Sequence, residues 1–354
     1  CLLYLCGILV LTYDAQSGMA KIDTLDLGEF PLLLAPMEDV SDPPFRLLCK
    51  RQGCDMMYTE FISVDGLVRD AEKSVQKLDF FDEERPIGIQ MFGSDMESMM
   101  RATEIITEAD PEVVDINYGC PVKAVVCRMA GSGILRDVPK MIALTEAVVK
   151  STHKPVTVKT RLGWDEGSIN IEEVAERLQD IGIKALSIHA RTRSQMYKGE
   201  ADWSWIAKVK NNPRIKIPIF GNGDIDSPEK AKLYRERYGV DGIMIGRAAI
   251  GYPWIFREIK HYFATGEKLA PPTVAERVAA AREHLHRSIE WKGARLGIIE
   301  MRRHYTNYFK GYEGIKNFRA QLVTLEDADE LNAVLTQLQD HYENLASAAS
   351  ADVA

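Results

Sequence analysis

The chain lacks the features that would place it in a membrane, in an oxidising compartment or around a metal. Its longest apolar stretch, residues 1–11, is too short to span a bilayer. No basic flank precedes that stretch and no methionine begins it, so it makes a poor signal peptide, and Met19-Ala20-Lys21 reads as a more natural start. Residues 1–18 are therefore expected to be a disordered upstream extension. Cysteine is sparse, six in 354 residues, and shows no pairing logic; Cys49/Cys54 and Cys120/Cys127 are spaced too widely for a zinc knuckle. This predicts no metal, no membrane, and a reduced, cytoplasmic setting. A glycine-rich dinucleotide fingerprint is missing as well.

Positive charge is also short overall. Lys and Arg total 44 against 52 Asp and Glu, a formal charge of −8, which argues mildly against nucleic acid as a partner. The distribution reverses that average locally. Residues 273–320 carry ten basic side chains, Arg302 and Arg303 among them, against five acidic ones. The same stretch holds Tyr305, Tyr308, Phe309, Tyr312 and Phe318. Basic residues there can hold a nucleic-acid backbone by its phosphates. Aromatics at helical spacing read first as helix core, although they can also stack on bases.

What is present is a repeat of short apolar runs, at residues 32–36, 56–61, 86–92, 113–118, 155–161, 185–190, 217–221 and 242–246, alternating with amphipathic segments. Residues 140–150 and 171–179 place apolar side chains at three- and four-residue spacing, and Ser227-Pro228-Glu229 reads as a capped helix start. Eight such units predict an α/β fold, a (β/α)8 TIM barrel, over residues 19–270. Pro271-Pro272 then breaks the pattern, and residues 271–354, with helices expected over 273–289 and 331–346, form a small C-terminal helical domain.

Chemistry gathers at the ends of the runs. In Asp115-Ile116-Asn117-Tyr118-Gly119-Cys120-Pro121, Gly119 and Pro121 force an exit that leaves Cys120 at a strand's carboxyl end, where barrels keep their reacting groups. A thiol there can donate a proton near neutral pH; a small buried cysteine at a turn has the same local pattern. Gln90, Lys159, Arg161, His189, Arg191 and Arg193 fall at or just beyond the ends of other runs. Lys and His inside apolar strands are costly to bury without partners, and a polar ligand above the barrel accounts for them together. Gly221-Asn222-Gly223-Asp224 and Gly246-Arg247 follow strands seven and eight, where glycine turns let backbone N–H groups approach a phosphate. Gln90, Asn117, Lys159 and His189 suit a flat heterocycle with carbonyl and imide groups, and Lys159 is suited to stabilising the negative charge of a reduced flavin ring.

These motifs, with Ala35-Pro36-Met37, Asp42-Pro43-Pro44-Phe45-Arg46, Thr59-Glu60-Phe61, Gln90-Met91-Phe92-Gly93, Lys159-Thr160-Arg161-Leu162-Gly163-Trp164 and His189-Ala190-Arg191-Thr192-Arg193, give the chain a resemblance to the bacterial tRNA-dihydrouridine synthases over residues 31–318. Those are flavoenzymes that reduce uridine in tRNA to dihydrouridine. The resemblance implies an FMN-binding barrel followed by a tRNA-binding helical domain. It implies FMN contacts at Pro36, Met37, Glu38, Gln90, Lys159, His189, Asn222, Gly223, Asp224, Gly246 and Arg247, and a general acid at Cys120. By the family's scheme NADPH reduces FMN, hydride passes to C6 of a flipped-out uracil, and Cys120 protonates C5. Lys123, Arg191 and Arg193 then become candidates for the uracil edge or its flanking phosphates, with Asn117 and Arg161 beside them and Arg302 and Arg303 on the tRNA backbone. The chain departs from the family at Ala124, where a second basic residue often follows the lysine, and at Met129-Ala130-Gly131, where the loop often reads Gly-Ala-Gly. Both departures touch the substrate loop. The rival expectation is a flavin barrel acting on a free pyrimidine, such as a dihydroorotate or dihydropyrimidine dehydrogenase, which needs no basic helices.

Overall fold

The computed structural model describes residues 19–351, so expectations for residues 1–18 lie outside the described residues. Eight strands form a ring: β1 (Leu32–Leu34), β2 (Met57–Tyr58), β3 (Ile87–Phe92), β4 (Val113–Tyr118), β5 (Val156–Arg161), β6 (Ala185–His189), β7 (Ile219–Asn222) and β8 (Gly242–Ile245). Every neighbouring pair from β2 through β8 and on to β1 is parallel. A parallel bridge from Leu33 to Met56 closes β1 onto β2. All eight expected strands are present, β4 with the expected bounds, β7 starting later and ending one residue later, and the others shortened at one end or both, and the (β/α)8 barrel stands.

Side chains alternate across each strand, so β4 turns Val114, Ile116 and Tyr118 to the surrounding helices and Asp115 and Asn117 to the barrel interior. The helix layer is α1 (Pro43–Arg51), α2 (Met96–Glu108), α3 (Val138–Lys150), α4 (Ile171–Asp180), α5 (Ser204–Asn211), α6 (Pro228–Tyr238) and α7 (Ile255–Thr265). In α4, Ile171, Val174, Ala175 and Leu178 are buried, the face its spacing predicts. The Ser227 hydroxyl accepts from the Lys230 N–H with Pro228 in the first turn, so the expected cap of α6 is real. Each fully buried Leu, Ile or Val contributes about 1.5–3 kcal/mol of transfer free energy, and most of them belong to the core that the strands and this layer build together.

The barrel is apolar at its amino end and polar at its carboxyl end. A short hairpin, Lys21–Ile22 paired with Leu25–Asp26, closes the amino end. Its Ile22 and the neighbouring Ala20 and Leu27 pack with Leu33, Met56, Tyr58, Val113, Phe220 and Met244.

Past Pro272 the chain is helical: α8 (Val274–Tyr308), α9 (Lys316–Thr324) and α10 (Ala328–Ala351). The helices expected over 273–289 and 331–346 are both longer than predicted. The first turns back at Gly293 (φ 79°, ψ 160°) to make two antiparallel arms. The arms touch through backbone at Gly297, where a Cβ would come within 2.7 Å of Ile289 and Ser288. These helices have a core of their own, including Leu285, Met301, Tyr305, Tyr308, Phe309, Leu335 and Leu338. The aromatic residues at 305, 308 and 309 are therefore core.

Candidate active site

A cavity of about 780 Å³ opens at the carboxyl end of the barrel, within the size range of small-molecule and cofactor sites. Thirteen of the sequence-predicted residues line it: Pro36, Met37, Glu38, Asn117, Cys120, Lys159, Arg161, His189, Asn222, Gly223, Asp224, Gly246 and Arg247. They come from the ends of β1, β4, β5, β6, β7 and β8, so residues far apart in sequence meet because parallel strands share one rim.

Cys120 is 7% exposed and faces this cavity. Its backbone is clamped from two sides. Asn117 Oδ1 accepts the N–H groups of Gly119 and Cys120 at 2.9 and 2.8 Å. The Cys120 carbonyl accepts from Ser132 N–H at 3.0 Å and Ser132 Oγ at 2.7 Å. Gly131 (φ 52°) permits this approach, since a Cβ there would stand 3.0 Å from that carbonyl. Burial pushes the thiol pKa up, reinforced by Glu38 and opposed by Arg161 and Lys159. The thiol is thus protonated at neutral pH, as a proton donor must be.

Three cationic or basic groups share the cavity with that thiol. Lys159 is half-buried and has no hydrogen-bond partner among the described residues. Burial first, and Arg161 second, lower its pKa to about 8. His189 is held well below the usual imidazole range by burial and by Arg161, Lys159, Arg191 and Arg247, so its ring is neutral. Arg161 is anchored by donating to the carbonyls of Gly119 (2.7 Å), Thr192 (3.1 Å) and Met196 (2.9 Å). It fixes the strand exit immediately before Cys120.

At the opposite wall Gly223 (φ 130°) lies against His189 and Ala201, where a Cβ would come within 2.9–3.2 Å of their atoms. Asn222 Nδ2 donates to the Met244 carbonyl at 2.8 Å. Arg247 donates to Asp224 Oδ1 at 2.9 Å and lies 5.0 Å from the Tyr197 ring centre. Lys230, on the first turn of α6, also lines this wall; its position behind the glycine turn of β7 was a usable sequence signal.

Six expected residues do not line the cavity. Gln90 is fully buried behind it, bonded to Asn117 and Asp115. Arg191 is 2% exposed and makes a two-pronged ion pair with Asp224 at 2.9 and 2.6 Å. It also donates to the carbonyls of Lys198 and Gly199. Arg193 lies over the Trp164 ring at 4.6 Å. Lys123 is exposed on the loop helix Lys123–Val126 beside the cavity. Arg302 bonds the Leu325 carbonyl and approaches Glu326, and Arg303 bonds the carbonyl and carboxylate of Asp39. Sequence reasoning saw the cationic character of Arg191, Arg302 and Arg303 and could not see the acceptors that engage them.

The arrangement joins a protonated thiol, an unpartnered ammonium and a neutral imidazole above a glycine-lined, arginine-flanked wall. It suits proton donation to a substrate beside a group that gains negative charge. Comparison with known proteins agrees. The sequence model of the dihydrouridine synthase family matches residues 33–346. The chain is 41% identical over 306 residues to tRNA-dihydrouridine synthase B of Pseudomonas aeruginosa, covering 86% of this chain and 92% of that one. It is likewise 41% identical over 318 residues to the probable tRNA-dihydrouridine synthase 1 of Synechocystis sp., covering 88% of each. Among solved structures, 2-naphthoyl-CoA reductase superposes with a TM-score of 0.55 at 11% identity, over 69% of this chain and 52% of that one. Histamine dehydrogenase from Rhizobium sp. 4-9 gives 0.53 at 11%, over 77% and 50%; at such identity the likeness is one of fold. The chain belongs to the dihydrouridine synthase family and is an enzyme, a flavin-dependent oxidoreductase.

Proposed function

We propose that the chain reduces uridine in tRNA to 5,6-dihydrouridine with FMN as resident cofactor, NADPH as reductant and Cys120 as general acid. The observation that carries this reading is the shared cavity: a thiol kept protonated by burial faces the same space as Lys159 and His189.

The residues present fit FMN. Lys159 and His189 offer side-chain nitrogens with no hydrogen-bond partner among the described residues, Gly223 packs so closely on His189 and Ala201 that a Cβ would not fit, and Arg247 and Lys230 flank the glycine turns with positive charge. Pro36, Met37 and Glu38 would wall the ring, Lys159 and His189 would meet its polar edge, and Asn222, Gly223, Asp224, Gly246 and Arg247 would hold the phosphate end. When bound, FMN supplies the hydride that saturates a pyrimidine C5–C6 bond.

The protein's own groups do the rest. Asn117 and Ser132 fix the Cys120 backbone, so the Sγ–H stays aimed into the cavity. Cys120 gives its proton to the substrate carbon. The Lys159 ammonium opposes negative charge that builds in the cavity, and Arg161 holds the loop after β4 in place. A uridine must leave its stack to reach this depth. Lys123, exposed beside the mouth, is placed for a flanking phosphate, and the helical unit from residue 271 is assigned to tRNA. Arg302 and Arg303 would exchange Glu326 and Asp39 for phosphate there. No described helix is long and apolar enough to cross a membrane, in keeping with a proposed cytoplasmic setting.

The test is NADPH oxidation by purified protein with unmodified tRNA, with free uracil or orotate, and with neither. Turnover that requires tRNA is expected, with Cys120→Ala lowering it by about 10²–10⁴-fold while the protein stays yellow. Equal turnover on the free base favours the pyrimidine dehydrogenase reading. Affinity for tRNA should fall steeply with salt.

A further inference from the structure

Behind the cavity floor a buried chain of side chains runs on from Asn117 into residues that the proposed reaction leaves without a role. Asn117 Oδ1 accepts two backbone N–H groups, at Gly119 and Cys120. Its Nδ2 donates to Gln90 Oε1 at 2.7 Å, and Gln90 Nε2 donates to Asp115 Oδ2 at 2.6 Å. Thr157 Oγ1 donates to Asp115 Oδ1 at 2.5 Å. The polarity of this relay is forced. Backbone N–H groups can only donate, so Asn117 must turn its oxygen to them and its nitrogen to Gln90. Gln90 must then turn its nitrogen to Asp115. Asp115 ends the relay as an acceptor: burial pushes its carboxyl up to about 6, and the hydrogen bonds from Gln90 and Thr157 and the charge on Lys159 hold the rise there, so it is ionised at neutral pH.

An ionised carboxylate that is 1% exposed needs a counter-charge. No ion pair reaches Asp115 within contact distance among the described residues, and the cation that acts on it is Lys159. The strand register explains the proximity. Asp115 lies opposite Thr157, and Asn117 lies opposite Lys159, so the lysine stands one inward step above the carboxylate. Of the other groups facing Lys159, Arg161 on its own strand opposes protonation, Cys120 is a neutral thiol, and His189 across on β6 is a neutral ring. Tyr58 of β2, which faces Asp115, is a neutral phenol.

We propose that Asp115 is a positioning residue: its buried carboxylate is the fixed counter-charge that keeps Lys159 protonated beside Cys120, and the terminal acceptor of the relay that holds the Cys120 backbone. Only the use of that ammonium rests on the flavin reading above. The charge pairing stands on the protein alone.

Asp115→Asn is the discriminating change. Asparagine keeps the shape, turns its carbonyl to Gln90 and its amide to Thr157, and removes the charge. The full-length protein is labelled with ¹³C at lysine Cε and titrated by NMR without added ligand, with Lys159→Met identifying the resonance. Lys159 is expected to titrate near 8 in the unaltered protein. In Asp115→Asn its midpoint should fall by about one pH unit or more, about tenfold in the protonation equilibrium. Thr157→Val withdraws one hydrogen bond from the carboxylate, disfavours its ionised form and should lower the midpoint by less. This second variant keeps the test available if Asp115→Asn does not fold. A midpoint that stays or rises in the variants overturns the proposal. In FMN-loaded protein the flavin reduction potential should become more negative in Asp115→Asn and recover as the pH is lowered to recharge Lys159. A lysine midpoint that moves while the potential does not supports the charge pairing and refutes the ammonium's role toward a flavin.

Discussion

Asp224→Asn separates a structural charge from a ligand-binding one. Asp224 lines the cavity, Arg191 lies behind it, and the two form one largely buried pair. Asp224 takes two hydrogen bonds from Arg191, one from Arg247 and one from the Ala201 N–H at 2.9 Å. Its backbone is left-handed (φ 57°), a conformation asparagine also tolerates, so the substitution adds little strain. The change leaves Arg191, 2% exposed, without its counter-charge. Breaking a buried pair from one side costs about 3–5 kcal/mol. Asp224 keeps 18% of its side chain in solvent and Arg191 keeps two backbone carbonyls, so the lower end, about 3 kcal/mol, is expected. Pairing the change with Arg191→Met should recover at least half of the loss, because no buried charge then stands alone. Urea unfolding followed by far-ultraviolet circular dichroism measures both. Partial burial pushes the Asp224 carboxyl up, but the Arg191 hydrogen bonds, the Ala201 N–H and the two guanidinium charges outweigh it and hold the pKa below the usual range. Its stabilisation is therefore complete above the unfolded carboxyl's pKa of about 4 and lost as pH falls through the depressed folded value. The difference between the two proteins should shrink in acid. A single-variant cost under about 1 kcal/mol, or a double variant no better than the single, refutes the buried-pair reasoning.

Turnover should fall as pH rises through about 8, where Lys159 loses its proton, and Lys159→Arg should remove that limb; His189, already neutral, should add no inflection near its ordinary pKa. A pH–rate profile of the proposed reaction checks both. Asn117→Ala leaves the Gly119 and Cys120 N–H groups and Gln90 Oε1 unpaired, and at about 1–3 kcal/mol for each buried group it should cost about 3 kcal/mol or more in urea unfolding. Gly297→Ala places a Cβ within 2.7 Å of the opposing helix arm; the clash, about 1–3 kcal/mol, outweighs the gain of about 1 kcal/mol in helix propensity. Hydrogen exchange should quicken across Val274–Tyr308 and not in the barrel strands.

How much of this was legible follows from what kind of information each residue carries. The eight strands were readable because burial on the helix side leaves a run of apolar residues that no flanking segment shares, and the rim followed because parallel strands must end together. Cys120, Lys159 and His189 were readable as polar interruptions of such runs. The hairpin at Lys21–Ile22 and Leu25–Asp26 was not, because two-residue strands leave no period to detect. Which arginines face the cavity was illegible for a different reason. Arg161 ends its strand and Arg191 lies two residues past the end of the next, yet in sequence each follows a polar strand residue by two positions; one lines the cavity and the other is claimed by Asp224, a residue 33 positions away. Asp115 shows the same limit from the other side. In a strand ending with Asn117 and Cys120 it reads as one more polar residue, and its meaning lies in Gln90, 25 positions back, and Thr157, 42 positions on. A barrel brings such residues into register without leaving a trace in local spacing. The positions that meet the ligand are thus readable from where the strands end, whereas those that set their charge become visible only once the ring is closed.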